Sequence, residues 1–436
     1  MQTSLETLGE LERRLTMSVP VAQIESEIVQ RLARLARNVK VPGFRPGKVP
    51  MKMVAKQYGP QVRSDVISDA VKTTFADAIR EQNLRIAGYP RIEPKAEAAA
   101  PDRLEFSAVF EVYPEVKLGD LSDVTIERPQ AEVGSDDIGR TIDMLRKQRT
   151  RYERVSRAAS SGDRAIVDFN GKIDGIAFPG GQASDFSIVL GEGRMLPEFE
   201  AAISGMAESE TRMFALTFPD DYHGKEVAGK QAEFALTVKS VEAGLVPEAD
   251  ADFVKAFGIA SGSADDLKAE IASNLKLELK RKIDGKVKEQ VFAALRQKAG
   301  FVLPKSLVEI EAQNMAQRMA ADMRERGMKA EDINLAPEMF RAGAEARVAL
   351  GLILSEVVRT EGLGAKPEQV KALVQEAAQT YEQPEAVVRW HYEKPERLSD
   401  FEALAVEQNV VAWVLGRAKV DDKPASFTEL MGTTRT

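Results

Sequence analysis

The stretch DFSIVLGEGRMLPEFEAAISGM, residues 185–206, combines short apolar segments, glycine turns and aromatic side chains. The segments AIVDFNGKIDG and AEFALTVKSVE, on either side of it, have the same texture, which is typical of short strands joined by tight turns. The sequence therefore predicts a separate β-rich domain from Gly162 to about Glu242. The segment GEGRML lacks the third glycine of a dinucleotide loop and the lysine of a P-loop, so we expect no nucleotide site there.

Aromatic residues recur through this domain in an ordered series of motifs: VDFNG, AFPGG, the stretch 185–206, FPDDYHG and AEFALTVKSVE. A row of phenylalanines alone more often forms a core than a site. The ordered series, however, resembles the FKBP-type prolyl isomerases over nearly their full length, and that resemblance implies an apolar pocket for a proline ring. The implied pocket residues are Phe199 as the floor, Phe169, Phe186 and Phe234 as walls, Met195 and Leu196 as the rim, Tyr222 as a hydroxyl donor, and Phe178.

Prolyl isomerisation suits such a pocket. An X-Pro bond crosses a barrier of about 20 kcal/mol with no bond made or broken, so no nucleophile, base or metal is required. An apolar pocket favours the twisted, less resonance-stabilised amide, and a few donors hold its carbonyl. We therefore expect an enzyme that uses no cofactor and no metal.

The composition limits the other possibilities. At about 150 residues per domain, the 436 residues predict two to four domains. The chain has no cysteine and two histidines, which excludes disulfides, cysteine nucleophiles and the usual thiolate or histidine-rich metal sites. No apolar run approaches the roughly 20 residues that a bilayer requires, and the acidic first residues do not resemble a signal peptide. We expect a cytoplasmic protein with no membrane partner.

One segment of the chain is strongly basic although the net charge is −8. From Val29 to Ser64 there is no Asp or Glu, and there are nine Lys or Arg residues, which points to an anionic partner. The segment contains the loop VPGFRPGKVP, residues 41–50, whose prolines and glycines continue neither helix nor strand. Phe44 and Arg45 at its tip have the composition of a binding hot spot. The alternative is a solvated basic face, with Phe44 folded back on its own domain.

The loop GFRPGKVP after a basic amphipathic helix resembles the ribosome-docking signature of the bacterial trigger factor family. The resemblance covers the whole chain. It implies that Phe44, Arg45 and Lys48 contact a large-subunit ribosomal protein near the exit tunnel. It also implies an ATP-independent, partly ribosome-associated chaperone of nascent and unfolded polypeptides, linked to protein folding, export and cell division. No specific DNA partner is implied, and a homodimer away from the ribosome stays open.

The remaining sequence divides into an α+β part and a helical part. Alternating apolar residues predict strands near residues 11–19 and 104–110, and helical spacing predicts helices near 24–39 and 66–79. An extended piece, VTIERP, precedes a helix that begins at Ser135, and the chain reads as almost entirely helical from Pro247.

These elements and the family resemblance together predict an α+β multidomain protein. The expected parts are an α+β N-terminal ribosome-binding domain (1–112), a linker helix that packs with the C-terminal domain (113–149), and an FKBP-like β-rich isomerase domain (150–246) inserted into an elongated all-α C-terminal chaperone domain with arms (247–436).

Two apolar features stand out in the helical part. Apolar residues from Leu267 to Leu295 recur every four positions, so their stripe spirals around the helix. The stripe must either meet different neighbours along its length or stay partly unpaired. Met315, Met319 and Met323 lie one turn apart on one face. Methionine is a common core filler, but such a row also suits an adaptable surface for many clients.

Two other functions stay open on the residues alone. A stand-alone FKBP-type prolyl isomerase, with a helical dimerisation region, would have activity and no ribosome role. A nucleic-acid-binding protein that uses the basic segment would bind free RNA as tightly as ribosomes. The loop spacing GFRPG is one residue too long for the GxxG loop of KH domains.

Overall fold

The computed structural model describes residues 3–39, 44, 49–95, 102–222, 224–329, 331, 333–379, 381 and 383–432. The chain forms two compact units. The first is Met1–Ile126 with Lys288–Val420, and the second is Glu127–Val287 with Asp421–Thr436. Mixed helices and strands in both units confirm the α+β multidomain class.

The strands, in chain order, are β1 (Thr3–Thr7), β2 (Glu12–Pro20), β3 (Ile86–Pro94), β4 (Arg103–Val112), β5 (Lys117–Leu118), β6 (Thr125–Gln130), β7 (Arg151–Val155), β8 (Arg164–Ile173), β9 (Ile176–Val189), β10 (Thr211–Thr217), β11 (Gln231–Leu245), β12 (Ala299–Gly300) and β13 (Lys419–Pro424). The helices are α1 (Val21–Asn38), α2 (Met51–Glu81), α3 (Ser135–Gln148), α4 (Pro197–Ile203), α5 (Ala251–Lys255), α6 (Ala264–Lys298), α7 (Lys305–Glu325), α8 (Arg341–Glu361), α9 (Pro367–Ala378), α10 (Pro384–Tyr392), α11 (Ser399–Leu415) and α12 (Phe427–Met431), with 3-10 turns at Pro337–Phe340 and Pro395–Arg397.

The N-terminal part of the first unit is an antiparallel sheet in the order β1-β2-β4-β3, covered by α1 and α2. Leu15 and Met17 of β2 are fully buried because alternate residues of the strand face the helices. The strands predicted near residues 11–19 and 104–110 are present as β2 and β4. Helix α2 begins at Met51 rather than near residue 66, and Pro60 lies inside it.

Helices α7 to α11 complete the first unit. Val308 and Ala312 of α7 pack on Ala344 of α8 in one small core, and α9 packs on α11 in another. The Glu111 carboxylate, from β4, accepts the backbone N–H groups of Lys305 and Ser306 at 3.1 and 2.7 Å. This carboxylate satisfies two donors at the start of α7 and fastens the helix to the sheet.

The second unit contains a five-stranded antiparallel sheet in the order β10-β11-β8-β9, with β7 also pairing with β11. Helix α4 packs on one face of the sheet and closes an apolar core drawn from residues 155–241. The two ends of this β-rich region lie next to each other: Arg151, at the start of β7, is opposite Leu245, at the end of β11. Just outside it, the Arg146 Nε donates to the Pro247 carbonyl at 2.7 Å.

The flanking helices of the second unit have a core of their own. Ile138, Ile142 and Leu145 of α3 pack on Phe253 of α5 and on the first turns of α6. Helix α6 extends over 35 residues. Six of its eight striped positions are buried and two are half-buried, so the spiral is largely covered: Leu267, Ile271, Leu279, Val287, Val291 and Leu295 are buried, whereas Leu275 and Ile283 are half-buried.

The C-terminal region contains two strands, β12 and β13, so the expectation of an all-α domain over residues 247–436 was wrong at these two places. All six residues of β13 are exposed, yet the strand pairs with β6. Asp422 accepts two hydrogen bonds from Arg128, at 2.6 and 2.9 Å, and one from Gln130 at 3.0 Å. The Arg128 guanidinium is the main cause that lowers the pKa of Asp422 to about 2. Backbone hydrogen bonds to β6 and the Arg128–Asp422 ion pair stabilise this strand. Because none of its residues is buried, the hydrophobic pattern of the sequence could not predict it.

Asp163 is a buried carboxylate at the start of β8. It accepts from the Arg157 guanidinium and from the Ser160 backbone N–H and hydroxyl, both at 2.9 Å. The ion pair with Arg157 is the main cause that lowers the pKa of Asp163 below its usual value. Since the folded pKa is the lower one, the stabilisation is present above pH 4 and is lost as the pH falls through the folded pKa.

We expect Asp163→Asn to lower the stability of the β-rich domain by about 2 kcal/mol at pH 7, because a buried acceptor loses its charge. The difference from the unaltered protein should shrink below about pH 4. Hydrogen exchange of the β8 amides between pH 3 and 7 measures both effects. Asp174→Asn, an exposed turn residue of the same domain, is the matched control. Equal exchange in the two variants at pH 7 would contradict the expectation.

Candidate functional site

A cavity of 680 Å³ opens into the core of the β-rich domain. Seven of the eight residues predicted for the pocket line it: Phe169, Phe178, Met195, Leu196, Phe199, Tyr222 and Phe234. They come from three strands, from α4 and from the loops that precede α4 and follow β10. The fold therefore brings together residues that are up to 65 positions apart in the sequence.

Three phenylalanine rings meet at the base of the cavity. The Phe199 ring centroid lies 5.2 Å from Phe169 and 5.6 Å from Phe234, edge to face in both cases, and those two rings are 6.0 Å apart. Phe199 is 2% exposed and lies in the first turn of α4, which begins with Pro197. Edge-to-face pairs fix ring orientation, so the base is a rigid apolar surface.

Two backbone features set the positions of these rings. Proline at the first helical position fixes the start of α4, and with it the direction of Phe199. On β8, Gly171 leaves room for the ring of Phe234, because a Cβ atom at Gly171 would lie 2.5 Å from Phe234 Cε1. The packing of Phe234 therefore explains why a glycine occupies the last position of the VDFNG motif.

Phe186 is the one predicted pocket residue that does not line the cavity. Its ring packs edge to face on Phe169, 5.6 Å between centroids. Phe218 was missed by the sequence reasoning although it belongs to the motif FPDDYHG. It lines the cavity and contacts both Phe178 at 5.9 Å and Tyr222 at 4.8 Å.

The charged side chains that line the cavity, among the described residues, lie at its rim. Arg194 is exposed there and pairs with Glu192 at 2.9 Å, and Lys225 and Glu226 are also exposed at the edge. In the part of the chain that the structure describes, no group of three or more His, Cys, Asp or Glu residues could hold a metal ion. Within the same residues, no helix has the length and apolarity to span a bilayer.

The predicted docking loop joins α1 to α2. Phe44 is 39% exposed, whereas Arg45 and Lys48 lie outside the described residues. Val49, at the end of the loop, is anchored in the core between the two helices.

The basic segment around this loop is partly neutralised. Arg31 pairs with Glu27 and Asp69 at 3.0 and 2.8 Å, and Arg63 pairs with Glu25 at 2.8 Å. Among the described residues of the segment, four cations have no acidic partner: Arg34, Arg37, Lys52 and Lys56.

The three methionines of α7 have different environments. Met315 is half-buried and packs on the core shared with α8, whereas Met319 is 42% exposed. Met323 is half-buried one turn further along. The row therefore presents one exposed side chain between two partly covered ones.

The sheet, the helix and the aromatic cavity define an FKBP-type prolyl isomerase domain, and residues 155–240 match the family model described as FKBP-type peptidyl-prolyl cis-trans isomerase. Residues 1–145 match the model described as bacterial trigger factor protein, and residues 263–416 match the one described as its C-terminus. The trigger factor of Aromatoleum aromaticum is 53% identical over 432 residues, and that of an Azoarcus species is 51% identical over 435, with 99% of each chain covered. The chain belongs to the bacterial trigger factor family.

This family membership settles the class of function. The protein is a ribosome-associated chaperone with an FKBP-type peptidyl-prolyl isomerase domain, and it acts on nascent chains in protein folding. Protein transport and cell division are further processes of the family. A stand-alone isomerase is not favoured, because the matches extend over both the N-terminal and the C-terminal regions.

Proposed function

We propose that the aromatic cavity seats the proline ring of the substrate, with Phe199 as its floor. Phe169 and Phe234 form the walls beside it, Phe178 closes a third side, and Met195 and Leu196 form the rim. The observation that carries this proposal is the convergence of three phenylalanine rings at the base of a cavity whose charged lining residues, among those that the structure describes, lie at its edge. Phe186 packs edge to face on the Phe169 wall.

The geometry suits catalysis by differential binding. A planar X-Pro amide is stabilised by resonance and hydrated in water, whereas the twisted amide of the transition state has lost that resonance. A rigid apolar surface holds the ring while the preceding carbonyl rotates, and it replaces the water that favours the planar form. The Tyr222 hydroxyl at the edge is the proposed donor to that carbonyl.

We expect Tyr222→Phe to lower kcat/KM for a proline-containing peptide about tenfold, because it removes one hydrogen bond made in the transition state. The ring contact with Phe218 would be retained. The measurement is a coupled isomerisation assay with purified full-length protein. Tyr152→Phe, on β7 of the same domain, is the matched control, since Tyr152 stacks under Arg164 and does not line the cavity. A Tyr222→Phe protein with unaltered kcat/KM would remove the hydroxyl from the mechanism.

We propose that Phe44, Arg45 and Lys48 are the contacts with a large-subunit ribosomal protein near the exit tunnel. The exposure of Phe44 supports this proposal, as do the four cations without acidic partners on the flanking helices. An aromatic anchor would bind the protein surface, and the cations would steer the segment to the surrounding phosphates. Sedimentation of loop variants with ribosomes tests the assignment.

We propose that Met315, Met319 and Met323 belong to a client-binding surface, with Met319 as its most exposed member. Flexible methionines adapt to varied apolar segments, and several weak contacts on one scaffold add through effective concentration. Release then needs no nucleotide.

The domain boundaries at residues 112, 149 and 246 stay predictions. The meeting of Arg151 with Leu245, and the core shared by α3, α5 and α6, support them. We also propose that the protein works in the cytoplasm, in keeping with its lack of cysteine. A homodimer away from the ribosome likewise stays a prediction.

A further inference from the structure

Strand β9 carries an extra residue beside the pocket. In its ladder with β8, Val167 lies opposite Phe186 and Phe169 lies opposite Ala183, so Ser184 and Asp185 together face Asp168. Ala183 and Phe186 both pack on the apolar core although they are three positions apart. In a regular strand, residues three positions apart lie on opposite faces. The extra residue of the bulge allows both side chains to lie on the face that packs on the core.

The strand on the other side of β8 has a matching irregularity. Val238 of β11 lies opposite Val167 and Ser240 lies opposite Ile166, which leaves Lys239 as the extra residue. Val238 and Val241 are both fully buried in spite of their odd spacing. The two bulges therefore flank β8 at the same level.

Three charged side chains from these three strands meet on the exposed face of the sheet, and we call Asp168, Asp185 and Lys239 the bulge clasp. Asp168 Oδ1 accepts the backbone N–H of Asp185 at 2.7 Å. The Lys239 ammonium lies 2.6 Å from Asp185 Oδ1 and 3.4 Å from Asp168 Oδ2. The hydrogen bond to Asp185 is the main cause that raises the pKa of Lys239.

Asp185 has a left-handed backbone, with φ of 53°. Non-glycine residues adopt this conformation at a cost, so it persists where surrounding contacts hold it. The clasp supplies such contacts, one to the backbone N–H and one to the carboxylate. The next residue is Phe186, whose ring supports Phe169, and Phe169 lines the cavity.

We propose that the bulge clasp is a positioning device for the isomerase, which holds Asp185 in the conformation that sets the Phe186 ring against the Phe169 wall. This inference rests on the proposed role of Phe169. Lys239 is the central residue of the clasp, because its ammonium group neutralises the neighbouring carboxylates of Asp168 and Asp185. Without it, repulsion between Asp168 and Asp185 opens the bulge, and the wall loses its support.

The test is Lys239→Met in the full-length protein, with kcat and KM measured separately on a proline-containing peptide. We expect kcat to fall about fivefold with little change in KM, since the wall matters most for the twisted amide. Exchange of the Asp185 amide proton should accelerate, because its acceptor moves away. Lys172→Met is the matched control and should alter neither quantity, since Lys172 is an exposed residue of β8 that forms no ion pair with any described residue.

A second variant separates positioning from a general loss of stability. Asparagine carries no charge and tolerates the left-handed conformation, so Lys239→Met with Asp185→Asn should recover most of kcat and slow the exchange again. Unaltered kcat in Lys239→Met would overturn the proposal, and so would a double variant that recovers nothing. If Tyr222→Phe still lowers kcat/KM in either case, the pocket assignment stands and only the clasp fails.

Discussion

Replacing Phe199 by alanine is expected to destabilise the isomerase domain by about 3–5 kcal/mol and to remove most of its activity. The side chain is 2% exposed and contacts the rings of Phe169, Phe214 and Phe234 edge to face, so the substitution leaves a cavity that rigid neighbours cannot fill. Hydrogen exchange across β8 and β11, together with kcat/KM on a proline-containing peptide, measures the two effects.

Phe199→Leu distinguishes loss of the pocket floor from loss of the fold. Leucine keeps most of the buried volume, so the domain should remain folded while kcat/KM falls about tenfold, because the flat surface under the proline ring is lost. The matched control is Phe214→Leu. Phe214 stacks on Phe234 and contacts Phe199, but it does not line the cavity. Equal activity in the two leucine variants would show that Phe199 is a core residue only.

A variant that lacks residues 150–246, with the ends joined by a short flexible linker, is expected to suppress aggregation of an unfolded client as well as the full chain does. Arg151 pairs with Leu245, and Arg146 contacts Pro247, so the two ends lie close enough for a linker to join. The apolar core of the removed region is drawn from residues 155–241, whereas α3, α5 and α6 share another. The helices should therefore remain folded.

Light scattering of a refolding client, after circular dichroism has verified the helices, measures this effect. Full-length Phe199→Leu is the control, because it retains every domain and weakens only the isomerase. A well-folded deletion variant that leaves scattering unsuppressed would assign the chaperone activity to the isomerase domain and would contradict the proposed client surface on α7.

The aromatic pocket could be predicted because its residues occur in an ordered series of motifs. The sequence could not show that Phe186 contacts Phe169 without lining the cavity, since both residues belong to the same apolar core. The bulge at Asp185 adds one position to the strand period next to Phe186, and strict alternation does not reveal such an insertion. The sequence also did not predict Phe218 as a pocket residue. It directly follows β10, and the turn there places it at the cavity.

Other features lacked a local signal. The pair Gly59 and Pro60 interrupts the helical pattern of α2, yet burial of Val54 and Val62 on either side holds the helix together. Strand β13 has only exposed residues, and its stabilising contacts come from β6, almost 300 positions earlier. Tertiary contacts decide both elements, so periodicity could not reveal them.

We propose that the loop at residues 41–50 attaches this chaperone to the ribosome while a separate pocket performs isomerisation. Cosedimentation with purified ribosomes, for Phe44→Ala with Arg45→Ala, tests it most directly. The matched control is Tyr89→Ala with Arg91→Ala, an exposed aromatic and an exposed arginine on β3 of the same unit. We expect the control to sediment like the unaltered protein, and the loop variant to bind at least about 30-fold more weakly with unaltered kcat/KM. A loop variant that sediments like the control would contradict the account.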